Sequence, residues 1–174
     1  MLRHFAVVAC VICLGLLLAA VFWLVNVVVA PHVFFFAAQL FGGLRGPFAL
    51  VLLALIGPAL VAIPFGYGFG LLPWRRPTVT SLLVAFLAAA LNMIHALWAG
   101  IDLLDSRGRV HFLEANLLIA LFVTAAAIGT RSAARWDLRN RLITGGAALA
   151  CVSAATVVAT YATYRYVMAF SRAA

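Results

Sequence analysis

"FAVVACVICLGLLLAAVFWLVNVVV", Phe5 to Val29, carries no charge and one amide, Asn26. A bilayer hydrocarbon core about 30 Å thick takes roughly 20 apolar residues as a helix, so this run predicts a membrane crossing. Arg3 ahead of it gives the look of a signal peptide. The run is too long for one, however, and its only small-residue cleavage candidate, Val28-Val29-Ala30, is followed by Pro31, so we expect a retained anchor.

The rest of the chain repeats the pattern. Of 174 residues 67% are apolar and 9% charged, with a mean hydropathy of +1.18. A soluble domain has roughly half and a quarter, so that class is excluded. Lipid offers no partner to backbone amides, which leaves helices or a closed barrel, and continuous apolar runs lack the alternation of a barrel. The expected fold is therefore all-α: one polytopic membrane helix bundle over residues 1–174. Its five spans fall near residues 5–29, 47–72, 81–100, 113–129 and 142–164.

The second span contains Gly57-Pro58 and then "PFGYGFG", Pro64 to Gly70. Proline removes a backbone donor and clashes with the preceding turn, so a kink is expected there. Two consequences are open: an unwound break that builds a binding site, or a kinked helix whose Gly66 and Gly70 let a neighbour come close. Between the first two spans "PHVFFFAAQLFGGLRG", Pro31 to Gly46, is too short to cross. It reads as an interfacial or re-entrant segment, with Val33 to Gly43 as its apolar part.

All twelve basic residues are arginine. With the N-terminus cytoplasmic, Arg3, Arg75, Arg76, Arg131, Arg135, Arg139 and Arg141 fall inside, and Arg45, Arg107, Arg109, Arg165 and Arg172 outside. Enrichment of short cytoplasmic loops in arginine thus gives an N-in, C-out protein of a bacterial-type inner membrane. "PWRRPT" and "TRSAARWDLRNR" form the basic side, and "DLLDSRGRVHFLE" holds three of the four acids. Arg75, Arg76, Arg131 and Arg135 are candidate contacts for lipid phosphate, although the topological bias alone accounts for such a cluster. Since topology explains the basic excess, nucleic acid is not an expected partner.

"LAAALNMIHALWAGIDLLD", Leu87 to Asp105, raises the functional question. On a helix turning about 100° per residue, Asn92, His95, Ala99 and Asp102 share one face, with Asp105 somewhat off it. Polar groups in a bilayer core are costly and tend to face the bundle interior or water. Asn26, His32, His111, Glu114 and Asn116 fall on the same side, so Asn92, His95, Asp102, His111 and Glu114 form a candidate ligand or proton pathway. His111 and Glu114, three apart, share a face if the helix has begun by His111. The bland alternative is a structural hydrogen bond of Asn92 or His95 and solvated loop acids. No metal site is assigned, because no fixed-spacing ligand motif is present. Haem is disfavoured because only His95 lies inside an apolar run, and the cofactor content stays unknown.

Two further features complete the inventory. Gly146, Ala150 and Ala154 recur every four residues, with Ser153 beside them. This is a helix-packing stripe for contact within the chain or between subunits. "CVIC", Cys10 to Cys13, lies in an apolar helix that offers a thiolate no nearby cation or polar turn, which favours packing over redox chemistry. The leading expectation is a non-enzymatic bundle that self-associates or serves as a subunit of a membrane complex, with membrane lipid and membrane subunits as partners. The alternatives are a small transporter or channel along the third helix, and an enzyme acting on a lipid or quinone at the outer face.

Overall fold

The computed structural model describes residues 2–29, 47–102 and 105–171. Among them are five long helices: α1 (Leu2–Leu24, continued by a π-helical turn Val25–Val29), α2 (Pro47–Leu71), α3 (Pro77–Trp98), α4 (Ser106–Ser132) and α5 (Leu138–Ser171). Each is long and apolar enough to cross a membrane. The interfacial segment expected at residues 33–43 lies outside the described residues.

Facing pairs fix the directions. Gly15 meets Leu87 and Trp23 meets His95, so α1 and α3 run parallel. Gly66 meets Phe122 and Gly70 meets Ala126, so α2 and α4 run parallel as well. Gly68 against Ala148 and Leu72 against Gly145 make α5 antiparallel to α2. With the short connection Leu72–Arg76, the five helices alternate in direction. The start of α1 and the turns at 72–76 and 133–137 therefore share one end, here the arginine end. Asp102 and Asp105 mark the opposite, acidic end.

The α2–α4 contact is the tightest. A Cβ added at Gly66 would lie 2.6 Å from the Phe122 carbonyl oxygen, and one at Gly70 or Gly129 would run into the carbonyl oxygen of Ala126 or Tyr67. These glycines let two backbones touch, and Thr130 adds an O–H donated to the Gly70 carbonyl at 3.1 Å. Phe65, Phe69 and Phe122 fill the centre of the bundle beside Leu18, Phe22 and Leu118, all fully buried.

α2 runs unbroken through Pro58 and Pro64, so the unwound alternative is not what this helix adopts. The two prolines forgo two backbone bonds. The remaining carbonyls and amides have no water to turn to in an apolar surround, which keeps the helix wound on either side. Its last carbonyls are accounted for one by one. Trp74 Nε1 donates to Phe69 at 3.1 Å, Thr130 to Gly70, and Arg141 to Leu71 (Nε, 3.3 Å) and Leu72 (Nη2, 3.1 Å). A cation at a helix C-terminus also meets the negative end of the helix dipole.

α3 ends earlier than the sequence reading placed it. Gly100 has φ +77°, its N–H donates to Leu97 at 3.0 Å, and Ile101 N–H donates to Ala96 at 3.0 Å. This is the paired-bond helix stop that a left-handed glycine makes possible. The face drawn through Asn92, His95, Ala99 and Asp102 therefore stops at Trp98, and Asp102 lies beyond the helix.

Gly70→Leu should lower the melting temperature by the equivalent of about 3 kcal/mol or more, since overpacking here meets backbone rather than a movable side chain. Gly146→Leu, at a position with nothing of its own chain within 4 Å, should leave that of the single chain unchanged. Arg141→Leu should cost about 1.5–3 kcal/mol by leaving two carbonyls without their charged donor, measured by thermal unfolding in the same detergent.

Candidate functional site

Titratable groups concentrate at the acidic end. Asp105 is the N-cap of α4: its carboxylate accepts the Gly108 N–H at 2.7 Å, satisfying a first-turn amide and placing negative charge at the positive end of the dipole. The cap starts α4 at Ser106, so His111 and Glu114 are already helical. Nδ1 of His111 and Oε2 of Glu114 are 2.9 Å apart. Glu114 is buried at 6% exposure, while the His111 side chain keeps 31%. With Nδ1–H donating to the carboxylate, Nε2 is left as the nitrogen available to another group.

Burying a carboxylate is costly unless it is hydrogen-bonded, and His111 supplies that bond. The pair therefore has a structural reason to exist. It also meets the distance that general acid–base chemistry demands. Asn116 does not join it: its Nδ2 donates to Phe112 O at 2.7 Å on an exposed face. Among the described residues, no three His, Cys, Asp or Glu side chains gather in a metal-binding arrangement.

His95 is exposed, its ring edge-on to Trp23 with centroids 5.8 Å apart and tilted against Trp98 at 6.5 Å. It occupies the last turn of α3, not mid-span, and Trp98 is 86% exposed. Tryptophans flanking the end of an apolar helix are the usual mark of the membrane–water boundary. Asp102 is exposed at the start of the acidic loop. Asn92 is half-buried, and its Nδ2 finds no acceptor among the described residues, so it does not form the interhelical bond weighed from sequence. His32 lies outside the described residues. Asn26 sits instead in the π-helical turn of α1, against the space a side chain at Gly57 would need.

At the arginine end, Arg75, Arg76, Arg131 and Arg135 are all exposed. They form no shared cluster with Arg141, whose guanidinium is committed to α2. Asp137, the fourth acid, caps α5 by accepting the Asn140 N–H at 3.0 Å. Gly146, Ala150 and Ala154 point away from the bundle. Gly145, Ala148 and Leu149 on the neighbouring face make the contact with α2. All three cysteines are free and exposed.

Sequence reasoning missed three functional placements: the caps Asp105 and Asp137 and the clamp Arg141. An acid at the junction of a loop and a helical run was the available signal for the caps. Nothing local signalled Arg141, whose partners are some 70 residues away. No family model, curated protein or solved structure matches the chain.

The His111–Glu114 bond gives an asymmetric expectation. His111→Ala strands a buried carboxylate and should cost about 1–3 kcal/mol of stability. The double variant His111→Ala with Glu114→Leu should recover most of that loss. Thermal melts of the parent, the single and the double variant decide it, and equal stability of all three would mean the bond contributes nothing.

Proposed function

We propose that the chain is a non-enzymatic membrane subunit that associates, through the outward face of α5, with a transmembrane helix of a second copy or of another subunit. One observation carries this reading. α5 is the least buried of the five spans: 11% of its apolar window is buried, against 61%, 44% and 39% for α2, α3 and α4. Its outward face is the one bearing Gly146, Ala150 and Ala154.

Lipid tails are as apolar as leucine, so a helix facing only lipid gains nothing from small side chains. Small residues at four-residue spacing matter where another helix comes close enough for backbone contact. In this reading the arginine end faces the cytoplasm and the acidic end faces outward, following the arginine bias of short loops. A conduction path along α3 finds little support, because His95 lies on the outside of the bundle and α2 offers no unwound backbone to close it.

Mass measurement after gentle solubilisation tests the proposal. The expected particle is a multiple of the 18.6 kDa chain or a complex with a second protein. The double variant Gly146→Leu, Ala150→Leu should shift it to the monomer with its helical content unchanged, and lower the melting temperature only by the stability that association adds. A parent protein that is already a bare monomer would overturn the reading.

A further inference from the structure

The first turns of α1 and α3 hold a feature that the association of α5 does not use. Gly15 brings Leu87 within 2.6 Å of where a Cβ would stand, which pins the crossing of α1 and α3. Towards the arginine end from that crossing lies an apolar groove of about 870 Å³. Val8 and Ile12 wall it on one side, Val79 and Leu83 on the other, and Trp74, Arg75 and Arg76 line its mouth. The Trp74 indole is held there by its bond to Phe69 O and by stacking on the Phe69 ring at 4.9 Å.

The groove combines two chemistries. Its walls are aliphatic and continuous with the lipid-facing surface of both helices. At its mouth two adjacent guanidinium groups are exposed, and neither has a hydrogen bond or ion pair from its side chain among the described residues. Guanidinium binds phosphate in a two-pronged, charge-assisted geometry. Arg76 also precedes α3 without a side-chain cap, so the first-turn amides of that helix add to the positive field at the same place.

We propose that this groove is a specific site for one anionic phospholipid, its phosphate held by Arg75 and Arg76 and an acyl chain lying between α1 and α3. An acyl chain satisfies the aliphatic walls, and a headgroup with net negative charge satisfies two cations that have no protein counter-ion. A zwitterionic lipid brings its own cation to the same mouth and binds more weakly.

The test uses the full chain in bilayers, with Trp23, Trp98 and Trp136 replaced by Phe so that Trp74 alone reports. Bromine on the acyl chain quenches a neighbouring indole. Brominated phosphatidylglycerol should half-quench Trp74 at a mole fraction about five-fold lower than brominated phosphatidylcholine, the order expected when the choline cation cancels about 1 kcal/mol of charge attraction at a membrane surface. R75Q with R76Q should bring the two lipids to parity. R131Q with R135Q, which removes the same charge outside the groove, should keep the preference. Native mass spectra of the unsubstituted chain released from mixed bilayers provide a second reading, with one phosphatidylglycerol retained by the parent and lost from the R75Q, R76Q variant. Equal quenching in the parent chain would overturn the proposal. So would equal loss in the two arginine variants, which would mark a general charge effect, or no quenching by either lipid, which would mark a protein occupant.

Discussion

Contact between two backbones at Gly66, Gly70 and Gly129 is the constraint on which the rest of the bundle depends. Between helices in lipid there is little hydrophobic force to collect, because the tails are as apolar as the side chains. Close packing and hydrogen bonds must hold the helices together, and both peak where α2 and α4 meet without side chains between them. Thr130 belongs to this contact, since its hydroxyl is shared between its own helix, at Ala126 O, and the facing Gly70 carbonyl. The parallel course of α2 and α4 then leaves α3 to return between them in sequence, and α1 packs along α3 at the Gly15–Leu87 crossing.

That arrangement separates the chemistry of the two ends. At the acidic end three of the four acids of the chain gather, two of them with identified structural work: Asp105 caps α4 and Glu114 is bonded to His111. At the arginine end the fourth acid, Asp137, is used as a cap. Arg141 is drawn inward to the carbonyls of α2, whereas Arg75 and Arg76 remain outward beside an apolar groove. Arginines with similar surroundings in the sequence thus have different physical roles: one completes a helix and the others face the membrane boundary.

Most of the fold was legible in the sequence because the bilayer imposes a length, and the five uncharged runs match the five helices to within a few residues at most ends. The ends themselves were less legible. Gly100 in "WAGID" is a helix stop whose effect depends on a left-handed backbone and two specific bonds, and reading past it merged Asp102 into α3. His95 then looked buried by its position in an apolar run, when it is in the last turn between two tryptophans. His111 and Glu114 were legible because a three-residue spacing on a helix fixes their distance. Arg141 was not, because its partners are brought to it by the α2–α5 packing, which no local pattern encodes. The small-residue periodicity of α5 could be read directly, but which way it faced could not, since Gly145 and Gly146 are neighbours with opposite surroundings.

α5 is clamped at one extremity, and further along it also touches α1 and its π-helical turn. Arg141, Gly145 and Leu149 bind its first turns to α2, while Tyr161 and Tyr164, near the far end, are more than half exposed. Mechanically it is a beam some 51 Å long, at 1.5 Å for each of its 34 residues, clamped by a guanidinium at its root and steadied further along by the end of α1. A load applied to its tip is shared between those two supports, and through the root it reaches the end of α2, adjoining the turn that carries Arg75 and Arg76.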